Sequence, residues 1–410
     1  LNLRTIRDDL TTAEKASLTP SSTQQTAYTA KRSAYATLKS SLSTFQTANT
    51  ALNSADLFSA TTATSSSSAF SASTSGTVVA GKYTISVSQL AQAQTLTSAV
   101  QTSNSTALGD SSASSRTLSI KLVDGTSKDI TLTSDQTSLT GMRDAINSAD
   151  AGVSASIIKV GDGSYRLSLT SSETGSDNAV SSITVTGDNT LQGIIGYDAS
   201  ASSNAMTESV TAQNAKLTVN NVEIENSSNT ISDALEGITL NLNDTTSGNQ
   251  TLTIAKDTSK AQSAIKTWVD AYNTLQDQFS TLTKYTAVDA GTSSQDSSNG
   301  ALLGDSTLRT IQTQLKSMLT NAQSSSTYKT LAQIGITTDP TTGSLELDSD
   351  KLKTALNSDA DGVKEMIVGD GKTGITAKID SKLTDWLASK GIVQAATDGV
   401  SKTLNNLTAL

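Results

Sequence analysis

Apolar positions along this chain follow two different periods, and the change of period divides it into blocks. Near the start, Tyr28, Lys31, Tyr35, Leu38, Leu42, Phe45, Asn49 and Leu52 stand at alternating three- and four-residue spacing. Ile265, Trp268, Tyr272, Leu275, Phe279 and Leu282 repeat that register more than two hundred residues later. A repeat of about 3.5 residues holds one narrow seam toward a partner helix, as in a coiled coil or long bundle. Between the two copies the chain must leave the bundle, build something else and return. That layout is a helical stem carrying an inserted head.

The head reads as strands. Tyr83, Ile85 and Val87 alternate with Thr84, Ser86 and Ser88, one face apolar and one hydroxylated. Leu118, Ile120 and Leu122 repeat the pattern before an Asp124-Gly125 turn, and Tyr165, Leu167 and Leu169 follow Gly161-Asp162-Gly163. The clearest hairpin is Leu217–Val219 and Val222–Ile224 about Asn220-Asn221, because Asn tolerates the positive φ of a type I′ turn. Ile238, Leu240 and Leu242, then Leu252 and Ile254, close the block, and one short helix is expected near Leu139–Asn147.

Helix boundaries follow from capping residues. Pro20 with Ser21 or Ser22 and Gln24 or Gln25 predicts a helix from there to Leu52, a rod of roughly 45–50 Å at about 1.5 Å per residue. Ser259-x-x-Gln262 predicts a capping box where helix returns. A third segment runs from Asp305 through Leu308, Ile311, Leu315, Met318 and Ala322. Residues 324–372 are mixed, with a short hairpin about Gly343, and Ile375 to about Leu410 is again helical.

Composition narrows the functional classes. Ser and Thr number 65 each and aromatic residues make up only 3% of the 410 residues, so the strands have thin cores. The chain has neither Cys nor His, which removes disulfides, thiolate catalysis, the usual zinc sites and every imidazole triad. A net charge of −9 with scattered basic residues argues against nucleic acid. No run of about eighteen apolar residues predicts a membrane span. No basic-then-apolar leader is present at the N-terminus, and Leu1 in place of an initiator Met suggests that the sequence begins after the true start.

Three motifs imitate chemistry. Gly369–Gly374 satisfies G-x-G-x-x-G and contains Gly-Lys-Thr, but Met366 stands where a Walker A loop needs its first Gly, and heptad helices surround it instead of a βαβ unit. Asp348-Ser349-Asp350 and Asp359-Ala360-Asp361-Gly362 lack the later Glu and the spacing of a calcium loop. Catalytic, cofactor and metal residues are therefore expected to be none. The candidate functional residues are those of the seam: Tyr28, Tyr35, Leu38, Leu42, Phe45, Asn49, Ile265, Trp268, Tyr272 and Leu275. For the first helix, an internal core and an intersubunit surface fit the pattern equally. The large aromatics of the returning helix favour an internal core, while Lys31 and Asn49 are polar intrusions of the kind that set register or partner number.

Several stretches resemble the bacterial flagellar filament cap (hook-associated protein 2) family. They are Leu18-Thr19-Pro20, Gln24-Gln25, Ala30 to Ser40 (AKRSAYATLKS), Ala80 to Ala91 (AGKYTISVSQLA), Trp268 to Asn273 (WVDAYN), Leu302-Leu303-Gly304-Asp305, Ile334-Gly335-Ile336 and Val368 to Gly371. The resemblance runs in order along essentially the whole chain. It implies an α+β multidomain protein: a helical coiled-coil stem and leg bundle with two nested, mostly antiparallel β head domains. The division expected is 1–60 with 257–410 for the helical part, 61–106 with 201–256 for the first head domain, and 107–200 for the second. The family's extreme N-terminal segment and long C-terminal helix are expected to be cut short here.

The same resemblance implies function. Members form a small ring, commonly a pentamer, at the distal filament end, where exported flagellin folds and polymerises beneath it. It extends the partners to the chain itself, flagellin, an export chaperone and host mucin, and places the protein outside the cell without a cleaved signal peptide. The alternative reading is a surface adhesin whose head domains bind host mucin or glycans. An enzyme is not expected.

Overall fold

The structure is a computed structural model that describes residues 3–288, 299–321 and 327–408, apart from the side chains of 8–20. Eight α-helices occur among them: α1 (Leu3–Leu52), α2 (Leu139–Ser148), α3 (Asn189–Ile195), α4 (Ser259–Leu282), α5 (Ser306–Thr320), α6 (Ser349–Ile367), α7 (Ile375–Leu387) and α8 (Ile392–Thr408). The chain divides into two compact units, residues 1–60 with 257–410 and residues 61–256.

The first unit is a helical bundle. Its α1 packs along α4, α7 and α8, and one core runs through all of them. α1 is longer than its capping signals imply: it begins at Leu3 and passes through Pro20. The proline forfeits one ladder hydrogen bond, for lack of an N–H, yet the helix continues, and its 50 residues span about 75 Å. Nor is Ser259 a cap. Thr258 precedes α4, Gln262 Nε2 donates to its Oγ1 at 2.9 Å, and the Ser259 N–H is taken by the Asp257 carboxylate at 3.0 Å.

Asp305 does cap α5, accepting from the Leu308 N–H at 2.9 Å. The helix ends at Thr320, and Ala322 lies outside the described residues. The mixed stretch contains a full helix, α6, broken at Asp359 (φ −157°), whose carboxylate accepts from the Gly362 N–H at 2.8 Å and restarts the next turn. The expected long terminal helix is two, α7 and α8. At Gly391 an added Cβ would lie 2.3 Å from the Asp385 carbonyl oxygen, so the chain turns there where no larger residue fits.

The second unit contains two separate buried cores between antiparallel sheets. One lies between a five-stranded sheet, in the order Thr61–Ser65, Gln250–Lys256, Gly81–Gln89, Ala215–Val219, Val222–Asn226, and a three-stranded sheet of Thr230–Leu235, Ile238–Leu242 and Phe70–Thr74. Phe70, Ile85, Val87, Leu217, Leu240 and Leu252 fill it. Asn220 and Asn221 sit at φ 49° and 64°, as a type I′ turn demands, with Val219 paired to Val222.

The other core is covered by α2 and α3. Its sheets are Tyr197–Asp198, Val180–Thr186, Arg116–Leu122, Ser127–Leu132 and Thr207–Val210, Thr95–Thr97, Ser164–Ser171, Val153–Gly161. Leu96 and Met206 are buried here, so this core reaches past the 107–200 boundaries read from the sequence. Its one buried ion pair joins Arg116 Nε to Asp188 Oδ2 at 2.8 Å. Asp188 also accepts from the N–H groups of Leu191 and Asp110, each at 2.9 Å. Burial pushes this carboxyl up, but the hydrogen bonds and the guanidinium outweigh it and hold the group below the usual carboxylate range.

Candidate assembly surface

A heptad seam needs something to pack against, and α1 finds it inside its own chain. Tyr35, Leu38, Leu42 and Phe45 on α1 and Ile265, Trp268, Tyr272 and Leu275 on α4 are all buried in one cluster. The Phe45 ring meets Trp268 at 6.0 Å and Tyr272 at 5.8 Å between centroids, and Trp268 stacks on Tyr272 at 6.4 Å. Contacts that climb α1 descend α4, so the two heptads run antiparallel. Tyr28 is half-buried at the edge of the cluster.

Of the two readings the pattern left open for the first helix, the internal core is the one these contacts describe. Apart from Tyr28, the candidate residues, nine in all, are buried: a narrow apolar stripe on α1 is covered by the helices of its own chain that pack along it, α4, α7 and α8.

Both polar intrusions have partners. Asn49 is fully buried; its Oδ1 accepts from Trp268 Nε1 at 3.0 Å, and its Nδ2 donates to the Thr376 carbonyl at 2.9 Å. Thr376 Oγ1 lies 2.8 Å from the Ile367 carbonyl and 3.0 Å from Asn53 Oδ1. One network thus ties α1, α4, α6 and α7 at a single level of the bundle and forbids a slip of register, since a slip would orphan buried donors. The surrounding sequence marked Asn49, but Thr376 carried no signal, being one more Thr in a Thr-rich chain. Half-exposed Lys31 approaches Asp305 at 3.9 Å. Tyr35 donates to the same carboxylate at 2.5 Å, and burial, with that carboxylate beside it, raises the phenol well above its ordinary value. Burial alone pushes Tyr272 up to about 12.

The Gly369–Gly374 loop is a closed corner between α6 and α7. Asp370 Oδ1 accepts from the N–H groups of Lys372 (2.8 Å) and Thr373 (2.9 Å) and from the Thr373 hydroxyl (3.0 Å), so a carboxylate already occupies the amides that a phosphate would need. Asp348 caps α6 through the Lys351 N–H at 3.0 Å, which accounts for one of the two acidic motifs, and Asp359 accounts for the other. Among the described residues no cluster of three or more metal-ligating side chains occurs, and no helix is long and apolar enough to cross a membrane.

Toward its N-terminus α1 has no buried residue among those whose side chains are described. Leu3 is 78% and Ile6 42% exposed, and residues 21–33 are exposed or half-exposed. The model of the flagellar hook-associated protein 2 N-terminus matches residues 1–94, and that of its C-terminus matches 212–410. Flagellar hook-associated protein 2 of Escherichia coli is 67% identical over this whole chain, which covers 87% of that protein. The chain belongs to the flagellar hook-associated protein 2 family. The Salmonella typhimurium member is 48% identical over the same extent. A crystal structure of the Escherichia coli flagellar cap protein FliD matches with a TM-score of 0.82 and 64% identity, covering 90% of this chain and 99% of that one. Within the head, residues 117–173 match a flagellin hook IN motif.

Proposed function

We propose that this protein caps the distal end of the bacterial flagellar filament and promotes folding and polymerisation of exported flagellin beneath it. The observation that carries the reading is family membership over the full length of the chain, with stem and head both in place. It supports the cap and not an adhesive head. In this reading the protein works outside the cell, as a homo-oligomeric ring of five on the family pattern, reached by export without a cleaved leader and with an export chaperone as an earlier partner.

The two cores of residues 61–256 correspond to the two nested head domains. The seam residues act in assembly indirectly: they fix the length and rigidity of the stem, while Tyr28 and the exposed part of α1 make the contacts with neighbouring subunits or flagellin. Function of this kind is geometric and needs no reacting group. The test is a strain lacking its own filament cap, supplied with this chain. Filaments should return and soluble flagellin in the medium should fall; folded, exported protein that leaves flagellin unpolymerised contradicts the reading.

A further inference from the structure

Between the end of α5 and the first two turns of α7, two adjoining hollows of about 220 and 510 Å³ share Met318 and Lys378 in their walls. Three lysines line them. Lys378 and Lys382 stand one turn apart on α7, and Lys372 sits on the loop that leads into it. All three residues are exposed, and none is paired with a carboxylate among the described residues. Neither lining contains an Asp or a Glu. The carboxylate of Asp370 is folded onto the amides of its own loop, and helical spacing puts Asp380 on the far side of α7 from Lys378 and Lys382. In a chain of net charge −9, this is a local reversal of sign. α7 also begins here, at Ile375, with no side chain capping its first amides, so the positive end of its dipole adds to the field.

The cleft is not only charged. Met318 is half-exposed and packs against the bundle core, with Met366 and Ile375 buried behind it. Two of the chain's four methionines thus meet at this one place, and an unbranched thioether can change shape to fit an incoming side chain. Ala377 and Ser381, themselves one turn apart, stand beside the lysines on α7. Such small side chains let a second backbone come close between the ammonium groups.

We infer that this cleft docks an acidic amphipathic helix of a partner protein. The acidity follows from sign, since the lining offers three ammonium groups and no carboxylate of its own. The helix follows from spacing. Lys378 and Lys382 lie about 6 Å apart along the α7 axis, which is the separation of two carboxylates at i and i+4 on a helix laid alongside. An apolar stripe next to those carboxylates rests on Met318 and on the aliphatic stems of the lysines. The inference is independent of the cap reading, because it requires neither a ring nor a filament.

The experiment uses the purified full chain and a fluorescently labelled helical peptide carrying glutamates at i and i+4 beside a leucine stripe. Fluorescence anisotropy should show saturable binding that weakens as salt is raised, since the lysines are exposed. Lys378→Glu and Lys382→Glu together should weaken binding by about tenfold or more. Helical circular dichroism should stay unchanged in that variant, because neither residue is in the core. A peptide with lysines in place of its glutamates should bind the variant and fail on the wild type. A peptide of the same residues, reshuffled so that the acids no longer share a face, should bind about tenfold more weakly or worse. No saturable binding, equal affinity for the reshuffled peptide, or full binding by the charge-reversed chain overturns the proposal. Two further results also overturn it. Sulfate that displaces the peptide at concentrations no higher than the peptide's own would make this a simple anion site. A self-associated chain that the double reversal turns monomeric in sedimentation would put a second copy here instead of a partner's helix.

Discussion

Replacing Trp268 by alanine removes the largest fully buried side chain among the described residues and the indole N–H that donates to Asn49 Oδ1. Large-to-small substitution of a buried aromatic costs about 3–5 kcal/mol. Here the stack on Tyr272 and the tilted contact with Phe45 go as well, and a buried carbonyl oxygen loses its partner, which places the total near the top of that range. For a unit of this size, the loss lowers the bundle's melting temperature by roughly 10 °C or more. Trp268→Phe separates the terms, since it retains most of the ring volume but not the N–H, and should cost about 1–3 kcal/mol. Thermal and urea unfolding followed by helical circular dichroism measure both variants. Helical unfolding of Trp268→Ala that matched the wild type would mean that α1 and α4 do not share this seam.

Further consequences are open to simpler tests. The Asp257 N–H donates to the Ala60 carbonyl at 2.9 Å, so replacing residues 61–256 by a short Gly/Ser linker should leave a soluble helical protein. Loss of the helical circular dichroism in that deletion would argue against nested insertion. Arg116→Met strands the buried Asp188 carboxylate and should destabilise the head by about 3–5 kcal/mol, read as a lower urea midpoint for the strand signal. Because the folded-state pKa of Asp188 is depressed, its contribution is present above the unfolded value of about 3.9 and is lost as pH falls through the lower folded value. The head should therefore hold its stability near pH 5 and above and lose it on further acidification, with a shallower slope in Asp188→Asn. A slope unchanged by that substitution would remove Asp188 from the account.

Periodicity located the seam and most of the head strands because both patterns are imposed by burial: one face of a helix, alternate residues of a strand. What it could not supply was the partner. Tyr35 and Leu42 have the same spacing whether the opposing helix belongs to this chain or another, and only the position of α4 decides. Local signals misled where two readings were possible. Pro20 beside Ser21 looks like a helix start but lies within α1, and the Asp, Asn and Gly residues of α6 look like loop although an Asp359 break lets the helix resume. Arg116 and Asp188 gave no signal at all, since 72 residues separate them and only the sheet brings them together.

The central claim is that the protein acts by occupying a filament end, and end-labelling tests it most directly. Purified chain carrying a gold label should be mixed with flagellin filaments and viewed by electron microscopy. Label confined to one end of each filament, with growth continuing there when flagellin is added, is the expected result. Label spread along the filament walls, or none on filaments that grow equally well, would contradict it.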